Sequence, residues 1–223
     1  MDWPRRWTKK NIKNVIGLDY VDLYLEHWLK FFKYNEKHEI INKLRIHVVW
    51  PLMEKLVEKW YTKYFSVSNY NVHSLFNLLS FCKIKPLVNE IEFHPYLVQT
   101  KLVEFCIREN IILFGYNPLV KGIYCKETAD EKDRNLLSEQ IILNLAKKYN
   151  KNVGQLVLNW SISREVIPLP MISNPNRIIE NLNSTDFVFE KEDLEKIDKL
   201  NRNRGYGKSK MWNIYDKEND VLA

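Results

Sequence analysis

The feature that most constrains the fold is a regular alternation between short apolar, strand-type runs and longer segments with helical periodicity. The strand-type runs are residues 21–25, 63–69, 86–93 and 111–119. Segments with helical spacing separate them, over 48–60, 71–84 and 99–110. Strands that alternate with helices predict a parallel sheet with helices outside it.

The second half of the chain continues this pattern. Apolar stripes predict helices over 136–149 and 153–160, formed by Leu137, Ile141, Leu145 and Tyr149, and by Val153, Leu156, Val157 and Trp160. The run EVIPLP, residues 165–170, contains two prolines that would remove hydrogen-bond donors from a central strand. It therefore fits a strand end at a rim. Pro51 is expected near the start of its helix, and Thr100 is a candidate N-cap.

These segments amount to about five βα units, whereas a closed (β/α)8 TIM barrel needs eight. A chain of 223 residues is long enough for one domain with a sizeable core. We therefore expect an α/β fold that forms a partial barrel, with one domain over 1–206 and a C-terminal tail over 207–223.

Composition excludes several classes of protein. The net charge of +6 comes from lysines scattered among glutamates, which indicates solvated helix faces and not a nucleic-acid surface. No stretch approaches the roughly 18 apolar residues of a membrane helix, and the N-terminal residues lack a signal-peptide core, which predicts a cytoplasmic protein. Cys82, Cys106 and Cys125 lack metal-ligand spacing and are expected to be reduced.

Polar and aromatic residues stand where four of the predicted strands end. They are His27 and Trp28, Ser68 and Asn69, Glu90, and Tyr116 and Asn117. Ligands of parallel α/β folds bind at the C-terminal ends of strands, so these residues form a candidate site. Each has a simpler interpretation alone: His27 could be a packed core residue, and Ser68 with Asn69 could cap the next helix.

A candidate phosphate site lies in SNPNRIIENL, residues 173–182. Ser173 or Asn174 is a possible N-cap, Pro175 fits the first helical position, and Arg177 falls in the first turn. Free amide donors, the helix dipole and a guanidinium would then converge on one phosphate. The alternative is an ordinary capped helix with a surface arginine. No glycine-rich phosphate loop occurs in the sequence.

Five segments occur in the order and spacing of a known family. They are GLDYVDLYLEHW, FSVSNY, VNEIEFHPYLVQTKL, ILFGYNPL and ISNPNRIIENL. The chain from about residue 16 to residue 206 resembles the aldo-keto reductases. This resemblance implies a (β/α)8 barrel that binds a nicotinamide cofactor, NADP(H), and reduces aldehydes and ketones.

The resemblance also implies a role for each matching residue. His27 resembles the histidine that orients the substrate carbonyl, and Trp28 a wall of the substrate pocket. Ser68, Asn69 and Glu90 match contacts to the nicotinamide carboxamide, where Glu90 replaces a glutamine. Tyr116 matches the tyrosine that stacks on the nicotinamide, and Asn117 and Leu119 fall in the loop that covers the pyrophosphate. Three residues match contacts to the adenosine phosphate and the adenine: Arg177, Glu180 and Asn181.

The sequence departs from the family pattern in ways that matter for activity. The family's first three strands carry an aspartate, a general-acid tyrosine and a lysine, and no residue before His27 matches them. Met171 stands where a lysine commonly meets the 2′-phosphate, which weakens the expected binding of NADP(H). Glu26, where the family has an apolar residue, is expected to face the helix layer and to need a partner. We expect an N-terminally truncated member whose hydride transfer is slow without the missing strands.

Three hypotheses follow. The first is an NADP(H)-dependent reductase of small-molecule carbonyl substrates, with the missing strands supplied by a longer product or by a partner. The second is a catalytically inactive relic or nucleotide-binding module. The third, a basic scaffold that binds nucleic acid, would need a clustered basic face with interleaved aromatics, and only WPRRWTKK resembles one.

Overall fold

The computed structural model describes residues 17–27, 31–34, 40–120 and 136–206. Trp28, Cys125 and the predicted tail over 207–223 lie outside the described residues.

The described elements follow the predicted alternation. The strands are β1 (Val21–Glu26), β2 (Phe31–Tyr34), β3 (Ile40–Leu44), β4 (Thr62–Ser68), β5 (Val88–Glu92), β6 (Ile112–Tyr116) and β7 (Val166–Leu169). The α-helices are α1 (Ile46–Glu58), α2 (Val72–Leu79), α3 (Thr100–Arg108), α4 (Gln140–Lys148), α5 (Val153–Ser163), α6 (Pro175–Leu182) and α7 (Lys191–Asp198). Single 3₁₀ turns occur at Leu136–Ser138 and Asn183–Thr185. None of the described helices is long and apolar enough to cross a membrane.

Among the described residues, one sheet has five strands in the order β1-β4-β5-β6-β7. Its strands are parallel and alternate with helices, which confirms the fold class expected from the sequence. The proline-containing strand β7 lies at the end of this order, as its missing donors require. Strands β2 and β3 form a separate antiparallel pair that was not predicted from the sequence.

Three local expectations are wrong. Helix α1 begins at Ile46, because the Arg45 carbonyl accepts hydrogen bonds from the amides of the first turn. Pro51 was expected near the start of this helix but lies in its second turn. Thr100 is the first helical residue and not a cap. In α4 the buried residues are Ile142, Leu145 and Ala146, so the apolar stripe is displaced from the predicted one.

The chain divides into two compact units. The first comprises Met1–Ile91 and Glu104–Leu113, and the second comprises Glu92–Val103 and Phe114–Ala223.

The core of the first unit forms where α1 packs against β4. Trp50 is fully buried and meets the Phe65 ring edge-to-face, with ring centroids 4.8 Å apart. The Trp50 indole nitrogen donates to the backbone oxygen of Ile84 at 3.2 Å, so the ring is buried without an unpaired donor. Glu54 is also buried, and its carboxylate accepts the amides of Lys83 and Ile84. The polar groups of this helix therefore hold the turn that leads into β5.

The core of the second unit is built around Trp160 on α5. Its ring stacks on Phe93 at 5.0 Å, and its indole nitrogen donates to Asp198 at 2.9 Å. Gly115 on β6 allows this packing, because an added Cβ would lie 3.0 Å from Val166 and 3.1 Å from Phe93. Helix α5 begins with a capping box between Asn152 and Gln155, which explains why this short sequence starts a helix abruptly.

Candidate active site

Strands β1 and β4 of the first unit end at nearly the same level, beside the C-terminal half of β5. Glu26 of β1 pairs with Val67 of β4, and Ser68, the last residue of β4, pairs with Glu90 of β5. Parallel pairing in this register brings the residues that follow β1 and β4 next to the end of β5. Predicted site residues from three separate segments therefore meet at the C-terminal edge of the sheet.

Hydrogen bonds join these residues into one cluster. The Ser68 hydroxyl donates to the backbone oxygen of Glu90 at 2.9 Å, and the backbone amide of Asn69 donates to the same oxygen at 2.8 Å. The side-chain Nδ2 of Asn69 donates to Ser68 Oγ at 3.0 Å and to the backbone oxygen of His27 at 3.3 Å. Asn69 adopts a left-handed conformation with φ of +63°, which asparagine tolerates better than most residues. The cluster thus fixes the direction of the Asn69 side-chain amide.

Glu90 is the titratable group of this cluster with a shifted pKa. Burial raises the pKa of the Glu90 carboxyl above its usual range, while the nearby His27 partly offsets the increase. A carboxyl with a raised pKa carries a proton over a wider pH range, and the protonated form can donate a hydrogen bond as well as accept one. His27 itself is exposed. The histidine is therefore accessible to a ligand at the end of β1.

Glu26 faces away from the cluster and is buried, as strand alternation predicts. It is 4% exposed and accepts a hydrogen bond of 2.7 Å from the Tyr70 hydroxyl. The backbone of Tyr70 is bound in turn by the side chain of Asn89, which accepts from its amide at 3.4 Å and donates to its carbonyl at 2.9 Å. The expectation that Glu26 needs a partner is confirmed. This buried pair fixes Glu26, which precedes His27, and Tyr70, which follows Asn69.

The second unit contains the predicted residues at the end of β6 and in the turn after it. Tyr116 is half-buried, and its backbone oxygen accepts from the Phe93 amide at 3.2 Å. Asn117 has a left-handed φ of +54°, and its side-chain amide donates to the buried carboxylate of Glu92 at 2.9 Å. Leu119 lies half-buried in the turn that follows. Asn117 therefore organises its own turn through Glu92, a contact that was not predicted from the sequence.

Helix α6 carries the predicted phosphate residues. The structure selects Asn174 as the N-cap, and Pro175 occupies the first helical position as expected. The Asn176 amide donates to the Asn174 side chain at 3.0 Å, and the Arg177 amide donates to the Asn174 carbonyl at 3.1 Å. The expectation of free amide donors at this terminus is therefore wrong, because the cap already uses them. What remains for an anion is the Arg177 guanidinium and the helix dipole.

The rest of α6 is open to solvent. No residue of Pro175–Leu182 is buried, and Arg177 and Glu180 are exposed, while Asn181 is half-buried. The Glu180 carboxylate accepts from Asn152 at 3.4 Å, and its backbone oxygen accepts from Gln155 at 2.8 Å. Met171 before the helix is 83% exposed. Arg177 is thus the basic residue of α6, and its exposed guanidinium is a group that could bind a phosphate.

One buried pair at a strand end was not recognised as a pair from the sequence. Glu92 and His94 lie two residues apart at the end of β5, with His94 Nε2 3.1 Å from Glu92 Oε1. The signal was present, because two polar residues at i and i+2 of a buried strand point to the same face. Among the described residues, no group of three or more histidine, cysteine, aspartate or glutamate side chains could hold a metal ion.

The fold and the site together define a class of protein. Parallel strands that end in a cluster of amide, hydroxyl, carboxyl and imidazole groups are typical of the edge at which α/β proteins bind their ligands. A model of the aldo/keto reductase family matches residues 8–202. The chain belongs to the aldo-keto reductase family, and its fold is that of part of a (β/α)8 barrel.

Individual relatives agree with this assignment. The chain is 38% identical over 212 residues to aldose reductase B of Dictyostelium discoideum, with 89% of this chain and 65% of the relative covered. It is 36% identical over 192 residues to glyoxal reductase of Bacillus subtilis, with 86% and 61% covered. The crystal structure of an aldo-keto reductase of the silkworm Bombyx mori superposes with a TM-score of 0.79 at 25% identity, covering 92% of this chain and 61% of that chain. The chain thus spans less than two thirds of the length of these relatives.

Proposed function

We propose that this chain provides the cofactor-binding residues and the substrate-orienting histidine of an NADP(H)-dependent reductase of small-molecule carbonyl compounds. The observation that carries the proposal is the cluster formed by the ends of β1 and β4 and by Glu90 of β5. Ser68 donates there to the backbone oxygen of Glu90, and Asn69 donates to the backbone oxygen of His27. Membership of the aldo-keto reductase family supports the reaction class.

The nicotinamide end of the cofactor would lie against this cluster. The Asn69 Nδ2 donates to Ser68 Oγ and to the backbone oxygen of His27, which holds this side-chain amide at the position that the resemblance assigns to a contact with the carboxamide. A protonated Glu90 can donate to the carboxamide oxygen, as the glutamine of the family does. A bound nicotinamide in its reduced form would supply the hydride. His27 would donate from its ring nitrogen to the substrate carbonyl and so hold the carbonyl carbon in line.

The adenosine end would be held from the second unit. Tyr116 offers a half-buried ring for stacking, and Asn117 and Leu119 lie in the turn assigned to the pyrophosphate. Arg177 is the residue proposed to pair with the 2′-phosphate, with Glu180 and Asn181 on the same helix assigned to the adenosine. Because Met171 supplies no charge, the preference for a phosphorylated cofactor would rest mostly on Arg177.

A direct test is titration of the protein with NADPH and NADH, followed by cofactor fluorescence. Replacing Arg177→Ala should weaken NADPH binding by about tenfold or more, which corresponds to the ~1.5–3 kcal/mol of a charged hydrogen bond, and leave NADH binding unchanged. Lys199→Ala is the matched control, because it removes another exposed cation of the same unit. Absence of NADPH binding, or equal losses for both cofactors, would contradict the proposal.

A nucleotide-binding role without turnover is the second candidate. It differs from the first candidate in one expected result, which is that the chain binds NADPH but does not transfer its hydride. General acid catalysis typically contributes about 10² to 10⁴ in rate, so the two candidates differ measurably in the rate of NADPH oxidation. Saturating NADPH binding with no cofactor oxidation in the presence of glyoxal would support the binding role, whereas turnover that depends on His27 would support the reductase.

A further inference from the structure

One carboxylate oxygen in the second unit holds three segments of the chain together. Glu92 Oε1 accepts hydrogen bonds from the Tyr206 backbone amide at 2.8 Å and from Asn117 Nδ2 at 2.9 Å, and it lies 3.1 Å from His94 Nε2. Glu92 is 6% exposed and His94 is completely buried. The end of β5, the turn after β6 and the segment before residue 207 therefore meet at a single atom.

The surroundings of Glu92 favour the charged form of its carboxyl although the group is buried. Burial by itself would raise its pKa, but the bonds from His94, Asn117 and the Tyr206 amide outweigh burial and bring the pKa below its usual value. A buried charge is costly to maintain and is often replaceable by a hydrophobic residue without loss of stability. The donors to Glu92 come from separate segments of the chain, which indicates that Glu92 positions these segments and does not only stabilise the fold.

The first segment that Glu92 positions is the turn Asn117–Val120. Both Asn117 and Val120 have left-handed backbones, with φ of +54° and +52°, and the Val120 amide donates to the Asn117 carbonyl at 3.1 Å. Valine is disfavoured in this conformation, so the turn persists because its surroundings over-determine it. The bond from Asn117 to Glu92 fixes the first residue of the turn.

The second segment is 201–206. The Arg202 and Arg204 amides donate to the Tyr96 carbonyl at 3.0 and 3.3 Å, and the Arg202 guanidinium lies 4.0 Å from the centroid of the Tyr96 ring. A Cβ on Gly205 would lie 2.7 Å from Glu92 Oε2, so a side chain at this position would have to displace the carboxylate. The segment is thus fitted closely around Glu92.

We propose that Glu92 is a positioning residue that aims the Asn117–Val120 turn at the pyrophosphate of the cofactor and links that turn to segment 201–206. This inference rests on the proposed function, since it takes the turn to be the pyrophosphate contact. It assigns Glu92 no contact with the cofactor. Its effect reaches the cofactor only through Asn117.

Two nucleotide fragments distinguish an effect of Glu92 at the pyrophosphate from a general effect on nucleotide binding. The fragment 2′-phospho-ADP-ribose contains the pyrophosphate, whereas adenosine 2′,5′-bisphosphate contains the adenosine and its phosphates without it. Replacing Glu92→Gln should weaken binding of the first fragment by roughly tenfold, because a neutral amide accepts hydrogen bonds more weakly than a carboxylate. Binding of the second fragment should change less than about twofold. Glu192→Gln, an exposed glutamate on α7, is the matched control.

A second variant covers the case in which Glu92→Gln fails to fold. Asn117→Gly keeps a residue that adopts positive φ but removes the side-chain donor, so it should cause the same selective loss. In the double variant the two losses should not add, because both remove the same bond. Hydrogen exchange of the Tyr206 amide should accelerate in Glu92→Gln but not in Asn117→Gly.

The outcomes distinguish the inference from the proposed function. Equal weakening of both fragments, or additive losses in the double variant, would overturn the positioning role while leaving cofactor binding intact. Failure of the unmodified protein to bind either fragment would overturn the proposed function and, with it, this inference. Selective loss of 2′-phospho-ADP-ribose binding in both single variants is the result we expect.

Discussion

The buried pair of Glu26 and Tyr70 provides the sharpest test of how the residues beside the site are held. Glu26 is 4% exposed and Tyr70 is 1% exposed, and the hydroxyl donates to the carboxylate at 2.7 Å. Removing one partner of a buried hydrogen bond leaves the other with its desolvation cost, which is about 1–3 kcal/mol. Tyr70→Phe should therefore lower the free energy of unfolding by about 2 kcal/mol.

The double variant distinguishes a specific pair from two independent core residues. Glu26→Leu alone should also destabilise the protein, because the Tyr70 hydroxyl would lose its carboxylate. With Tyr70→Phe added, the position regains an apolar pair, and the combined loss should be smaller than the sum by about 1–3 kcal/mol. Tyr64→Phe is the control, since Tyr64 lies on the neighbouring strand and is 53% exposed.

Urea unfolding measures these differences. The midpoint concentration should shift while the dependence on denaturant stays constant, which indicates a change in stability and not in the extent of unfolding. Additive losses, within about 0.5 kcal/mol, would refute the reasoning that the bond between Glu26 and Tyr70 couples β1 to the residue after Asn69. So would a loss in Tyr64→Phe as large as in Tyr70→Phe.

Two further predictions concern titratable groups. Hydrogen bonds from Lys148 and Lys196 hold the pKa of the buried Asp193 well below its usual range. The stability that the Asp193 carboxylate contributes is therefore present above about pH 4 and is lost as the pH falls. Asp193→Asn should reduce this acid-induced loss of stability by about 1 kcal/mol, as measured by thermal unfolding between about pH 5 and 2. Burial raises the pKa of Glu90, and the nearby His27 partly offsets this increase. Glu90→Gln should therefore tighten NADPH binding near neutral pH and make that binding less dependent on pH than in the unmodified protein. An unchanged pH profile in fluorescence titrations would contradict this prediction.

Sequence periodicity was sufficient to predict the five strands of the sheet and the helices between them. Period-2 and period-3.6 patterns report burial directly, so they located β4 and α5. The prolines of EVIPLP indicated only a strand end at a rim, and the structure put β7 at the end of the sheet order. The pattern was less reliable at helix ends. The start of α1 depends on the backbone conformation of Arg45, which no apolar spacing records.

Cap chemistry shows the same limit. The sequence correctly indicated a proline at the first position of α6, because its fixed φ favours that place. It could not show that Asn174 would use the amides of the first turn for its own capping. That competition depends on backbone geometry that is specified only once the helix has formed.

What the sequence determined by itself was the alternation of elements, the family, and the identity of the residues at the strand ends, since each depends on the order of residue types along the chain. Only the tertiary structure decided which of these groups share hydrogen bonds. Glu26 and Tyr70 are 44 positions apart, and Glu92 and Tyr206 are 114 apart, yet each pair is joined by one bond. Such bonds form because burial removes competing water, and the buried donors and acceptors must then pair with whatever the fold places beside them.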